Sequence, residues 1–148
     1  MRLFAKRKDT PTSRWGLLRW TDIIINGDLY LSRLNLLKTP WFSMKLHWII
    51  LPDPDRDLHD HPWSFVSFVL NGGYKEIEAK DPANGPIVKK TINWFNYKNT
   101  ITSHRITEVQ PNTITLIVTG PKTKGWGFYD KDSQEFKTEE EYERVNHG

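Results

Sequence analysis

Residues Leu58 to Tyr74 read LHDHPWSFVSFVLNGGY, and this stretch decides the fold. An aromatic and β-branched run, Trp63 to Leu70, stops at Asn71-Gly72-Gly73. A run of that composition ended by a glycine turn is a strand leading into a hairpin. Ahead of it stand His59 and His61, one residue apart. Side chains alternate faces along an extended chain, so the two imidazoles project to the same side. Two imidazoles on one strand face can hold one metal ion. The rest of the chain reads as a barrel built around that pair.

On the N-terminal side, Trp15 to Trp20 reads as a short strand or turn. Ile23-Ile24-Ile25 is a β-branched run closed by Asn26-Gly27-Asp28, a hairpin signal. Leu29 to Leu37 reads as a strand, though its leucine spacing also allows a helix. Lys38-Thr39-Pro40 breaks it. Trp41 to Leu51 is the next strand, with Lys45, His47 and Ile49 on one face and Met44, Leu46, Trp48 and Ile50 on the other. The loop Pro52 to Asp57 delivers the chain to His59.

On the C-terminal side, Tyr74 to Ala79 is a strand with a polar face, followed by a turn at Lys80 to Pro86. Val88 to Phe95 is the next strand, and Asn96 to Asn99 reads as loop. Ile101 to Val109 and Thr113 to Thr119 are strands on either side of a Pro111-Asn112 turn. Trp126 to Tyr129 is a short strand, and Ser133 to Val145 holds one short helix. Eight to ten strands at this spacing predict an all-β sandwich or barrel. No βαβ alternation, Walker loop or GxGxxG occurs. No boundary divides the 148 residues, which are read as one domain with a charged tail at 130–148.

There is no cysteine, which excludes disulfides, thiolate ligands and a cysteine nucleophile. The net charge is +3, and much of the excess lies in residues 1–14, at Arg2, Lys6, Arg7, Lys8 and Arg14. That segment reads as a solvated terminus; nucleic-acid contact through it is the weaker reading. MRLFAKRKDT has no apolar segment of the secretory kind, and no run approaches a membrane span. The expectation is a cytoplasmic protein.

Of the five histidines, His147 lies in the tail. His104, on the strand Ile101 to Val109, is the candidate third ligand to His59 and His61. Three protein ligands and an open position are the usual form of a catalytic metal site. His47 is a candidate catalytic base or hydrogen-bond donor. Arg33, Lys45 and Tyr97, with Thr115, are candidates for the barrel mouth, where cations would hold a carboxylate or phosphate. Asp60 points away from its two histidine neighbours. The tryptophans at 41, 48, 63, 94 and 126 read as core or interface packing.

His59-x-His61, followed by a strand and the turn Val69-Leu70-Asn71-Gly72-Gly73-Tyr74, resembles the first motif of the cupin superfamily. His104 is similar in position to the single histidine of the second cupin motif. The resemblance spans roughly residues 44 to 129, and extends to small cupin-like proteins of phages and bacteria without assigned activity. It implies a jelly-roll β-barrel, a divalent ion (Fe, Mn, Ni or Zn) on His59, His61 and His104, and a homodimer. Two features depart from the family pattern. Phe65 and Val66 stand where its metal-binding Glu falls, and no Pro-x-Gly precedes His104. Glu108, four residues beyond His104, is a remote substitute for that carboxylate. Three functions follow: a metal-dependent enzyme of oxygenase, isomerase or hydrolase type acting on a small polar or anionic molecule, a non-catalytic binding module for a sugar, nucleotide or anionic metabolite, and a nucleic-acid accessory protein. A two-histidine phosphodiesterase fits poorly, because His47-Trp-Ile and His104-Arg-Ile are not its His-x-Thr/Ser motifs.

Overall fold

The computed structural model describes residues 16–55 and 57–146. The basic segment 1–14, Trp15 and His147 lie outside the described residues. Two antiparallel six-stranded sheets make up the fold. One runs in the order β1 (Gly16–Ile25), β2 (Asp28–Lys38), β3 (Ser43–Ile49), β10 (Thr113–Thr119), β5 (Phe65–Asn71), β8 (Phe95–Lys98). The other runs β12 (Glu135–Thr138), β11 (Gly127–Asp130), β4 (Leu58–His59), β9 (Ser103–Val109), β6 (Tyr74–Ala79), β7 (Val88–Ile92). They are called the first and second sheets below. A helix, α1 (Glu139–Asn146), follows β12.

The turns follow the local chemistry. Asn26 and Gly27 take φ of 53° and 88°, and the β1–β2 hairpin closes on the pair Ile25 and Asp28. Two positive φ values suit this tight hairpin, and Asn-Gly adopts them at little cost. Gly72 has φ of 71°, and a Cβ there would lie 2.5 Å from Thr113 Oγ1. Only glycine lets β5 turn into β6 against β10 at this point.

Several sequence expectations need correction. Residues 16–25 form one continuous strand in place of two pieces, and Leu29 to Leu37 belongs to a strand, with no helix. Val88 to Phe95 divides into β7 and β8, and the segment read as loop at 96–99 is mostly strand β8. The turn comes later, where Asn99 Oδ1 accepts from the Ile101 and Thr102 amides and the Thr102 hydroxyl. Of the tryptophans read as core or interface packing, Trp41 and Trp94 are 65% and 70% exposed, which excludes them from the core half of that reading.

The two sheets pack face to face, but only one end of the space between them is apolar. Leu31 and Ile49 of the first sheet meet Tyr74 and Ile92 of the second, with Val69, Ile106 and Val109 around them. Beyond this plug the facing surfaces turn polar. On the first sheet Arg33, His47 and Thr115 lie side by side in register, as do Asn35 and Lys45. On the second lie His59, His104, Glu76 and Glu78. The loop between β3 and β4 crosses from sheet to sheet. Asp53 pins it by accepting from the Ile106 amide at 2.7 Å and from the Tyr30 hydroxyl.

Candidate metal centre

His59 ends β4, directly opposite His104 on β9. His61 follows two residues later, after the chain has left β4. Asp60 between them turns the other way, as its alternation predicts. It is buried, accepts from the Gly127 amide at 3.0 Å and pairs with Lys124. This anchors the loop to β11 and leaves both histidines facing inward. One ligand atom from each of His59, His61 and His104 falls within 4.8 Å of the others. His61 Nε2 lies 2.9 Å from His104 Nε2, so these two nitrogens converge on one point.

The electrostatics keep the His59 and His61 rings unprotonated. Burial lowers His59 from 6.5 to about 4, against an opposing pull from Asp53. Burial also holds His61 well below its ordinary value, and the neighbouring His104, His59, His47 and Lys98 add to the effect. Metal ligation needs the neutral imidazole. A cluster of three imidazoles is a nitrogen donor set suited to Fe, Ni, Cu or Zn.

Sequence reasoning missed the support behind His104. Its Nδ1 bonds Glu76 Oε2 at 2.8 Å, which fixes the ring with Nε2 turned toward His61. Glu76 and Lys98 are both buried and paired, and Lys98 also reaches Glu78 and Asn96 Oδ1. Asn96 Nδ2 donates to Glu76 Oε1 at 3.1 Å and to the Tyr74 hydroxyl oxygen at 3.0 Å. Burial opposes ionisation of Glu76, but the His104 bond and the Lys98 charge outweigh it and hold the carboxyl at about 2. A signal was present: Tyr74, Glu76 and Glu78 share one face of β6, and Asn96 and Lys98 one face of β8.

Phe65 also faces the site. Its ring meets His61 edge-on at 5.0 Å between centroids. Glu108 does not: an irregularity in the β6–β9 pairing, opposite Lys75 and Glu76, breaks the alternation after His104. Glu108 is left on the surface, paired with Lys75.

Across the gap, on the first sheet, Arg33 Nε donates to His47 Nε2 at 3.0 Å. Burial and the Arg33 and Lys45 charges hold His47 well below its ordinary value. Lys45 lies 4.6 Å from the Trp63 ring centre, and burial with Arg33 and Lys38 lowers it to about 7. Thr115 Oγ1, beside His47, is buried and without a hydrogen-bond partner. Such an orphan marks a place for a polar ligand group, and Ser67 Oγ on the same sheet is a second one. Tyr97 does not join this group. β8 turns Asn96 and Lys98 inward, so Tyr97 is 55% exposed and lines a surface cleft with Lys80 and Lys90.

No protein-family model and no curated protein sequence matches the chain. Solved structures do. An Fe(II)-HppE structure with the alternative substrate (S)-1-HPP aligns at TM-score 0.51 and 16% identity, over 70% of this chain. The chain spans about half, 55%, of that structure's length. CapF with the inhibitor 3-isopropenyl-tropolone aligns at TM-score 0.53 and 10% identity, over 81% of this chain and 34% of its own. Both neighbours are cupin-fold proteins. The chain has the cupin fold. In this fold the histidine triad lies between the two sheets, and among the described residues no helix is long and apolar enough to cross a membrane.

Proposed function

We propose that the protein is a metal-dependent cupin enzyme acting on a small polar or anionic molecule held between its sheets. His59, His61 and His104 hold the divalent ion. Arg33 and Lys45 hold the anionic group of the substrate, and His47 is the proton-handling group between them. The observation that carries this reading is the convergence of three imidazoles, with His59 and His61 held neutral, within 4.8 Å and facing a cationic wall. When bound, a divalent ion supplies Lewis-acid polarisation of a substrate oxygen or activation of water. The chain's own residues do the rest. The wall orients the anion, and His47 Nδ1, with Nε2 occupied by Arg33, donates a hydrogen bond. Thr115 Oγ1 offers a further contact. Fe(II)-HppE has the same fold, which puts Fe(II) first in a loading series with Mn, Ni and Zn.

Phe65 at the position of the family carboxylate favours a second reading, a barrel that binds an anionic metabolite without turning it over. Elemental analysis of tag-free wild type beside His61→Ala separates the two. Near-stoichiometric metal in the wild type, lost in the variant, supports the enzyme. Absence of metal in both after loading with all four ions defeats it and leaves the binding barrel.

A further inference from the structure

The segment that carries His59 and His61 has little strand of its own to hold it. β4 is two residues long, and His59 pairs with His104 on β9 and with Phe128 on β11. Two buried carboxylates, Asp57 and Asp60, bracket His59 in the chain. Both reach the segment that follows β11. Asp57 Oδ2 accepts from the Tyr142 hydroxyl of α1 at 2.8 Å, and Asp57 Oδ1 from the Lys131 amide at 3.4 Å. Asp60 pairs with Lys124, whose Nζ lies 5.4 Å from the centre of the Phe136 ring on β12. Phe128 carries the contact inward. Its ring stacks on Tyr142 at 4.2 Å and meets the His59 ring edge-on at 6.0 Å.

This C-terminal segment docks through one side chain. Thr138 and Glu141 form a capping box that starts α1: the Glu141 amide donates to Thr138 Oγ1 at 3.4 Å, and Glu141 Oε2 accepts from the Thr138 amide at 3.0 Å. A helix of eight residues does not persist by itself in water. Among the side chains described from Lys131 to Arg144, only Tyr142 is buried. A segment with so little buried apolar contact opens at a free energy well below that of global unfolding. We propose that β12 and α1 form a clasp on the metal centre. With Tyr142 docked, His59 is held where the triad converges, and metal binding and docking of the clasp reinforce each other. This rests on the metal reading of the triad. A ligand that binds the docked form better shifts the chain toward it, and the coupling is equal in both directions. Tyr142 acts through Asp57 and Phe128, so it is a positioning residue.

The test uses the full-length chain. Tyr142→Phe keeps the ring stack on Phe128 and removes only the hydroxyl, which guards against a variant that fails to fold. In metal-free protein this variant should exchange amide hydrogens across residues 57–61 about fivefold faster, the loss of one hydrogen bond, with β6 unchanged. Co(II) should bind about fivefold more weakly to Tyr142→Phe, the lower end of the usual coupling between sites. It should bind Tyr142→Ala about tenfold more weakly or worse. Glu140→Ala, on the exposed side of α1, should match wild type. In return, Co(II) should slow tryptic cleavage after Lys137 about fivefold in wild type and not at all in His61→Ala. Unaltered exchange across 57–61 in Tyr142→Phe, wild-type Co(II) affinity in that variant, or cleavage of wild type indifferent to Co(II) overturns the clasp and leaves the metal reading standing. A wild type that binds no Co(II) is the separate failure: it overturns the metal reading and the clasp with it.

Discussion

Arg33 Nε donates to His47 Nε2 at 3.0 Å, so the two residues hold each other before any substrate arrives. A protonated imidazole has no lone pair left to accept that bond. Burial is the main cause of the low His47 value, and the Arg33 charge is the next. Arg33→Met should therefore move the His47 titration up toward 6.5 without reaching it, because the burial remains. Histidine-resolved NMR titration reads this directly. A His47 curve indifferent to the loss of Arg33 would show that the pair does not form in solution.

In the proposed function Lys45 sets anion binding against stability. Burial, Arg33 and Lys38 lower it from 10.5 to about 7. Between those values the unfolded chain binds a proton that the folded chain refuses, so stability rises as pH rises from about 7 to 10.5. Each pH unit of that window is worth about 1.4 kcal/mol, so at neutral pH or below the charge costs several kcal/mol at most. Lys45→Met should raise the melting temperature at pH 6.5 by roughly 5–10 °C. The same change should weaken binding of small carboxylates or phosphate by tenfold or more. A variant both less stable and unchanged in anion binding would remove Lys45 from the substrate wall.

The histidines give the opposite end of the pH profile. His59 titrates at about 4 in the folded chain and near 6.5 when unfolded. Below pH 6.5 the unfolded chain takes up a proton that the folded chain excludes, so stability falls as pH drops toward 4. His59 alone contributes roughly 3 kcal/mol to that loss, and His47 and His61 add to it with the same sign. Urea midpoints of metal-free protein should therefore be flat near pH 7 and drop steeply between 6.5 and 4. A midpoint independent of pH across that range would mean that the three rings are solvated.

The Glu76–His104 bond predicts a tautomer. His104 carries its proton on Nδ1 because Glu76 accepts it, and Lys98 holds Glu76 in place. Long-range ¹⁵N spectra of metal-free protein should show a single Nδ1-protonated form at His104. Glu76→Gln should mix the tautomers and weaken Co(II) binding by about 10–100-fold, the usual effect of losing such support. Wild-type Co(II) affinity in the variant would relegate Glu76 to packing.

The sequence made the strands and the triad readable for one reason: their signals are local. Asn26-Gly27 and Asn71-Gly72 mark hairpins by their own backbone preferences, and His59 and His61 share a face by alternation alone. The network behind them was hidden because Glu76, Glu78, Asn96 and Lys98 have the composition of solvated residues, and charged groups are rarely buried unless paired. Their partners come from different strands, Lys98 from β8 to Glu76 on β6, which no local pattern reveals. The same blindness made Asn96 to Asn99 read as loop. Glu108 was misplaced by a single irregularity in the β6–β9 pairing, which shifts every later side chain to the other face.

Phe65 offers the sharpest test of the centre, because it stands where the family motif places a carboxylate. Its ring lies edge-on to His61, 5.0 Å away, and is buried on the inner face of β5. Val66, its neighbour, lies on the opposite face of β5. A carboxylate at position 65 would therefore face the triad, whereas one at 66 would not. Phe65→Glu should destabilise the metal-free protein, since it buries a charge near no cation but Lys98, the residue paired with it across β8. It should bind Fe(II) or Mn(II) at least tenfold more tightly than wild type, since carboxylate oxygen suits these ions. Val66→Glu should leave metal affinity unchanged. Isothermal titration of the three proteins decides the matter. A gain in Val66→Glu, or none in Phe65→Glu when that variant is folded, would show that the metal does not sit among His59, His61 and His104.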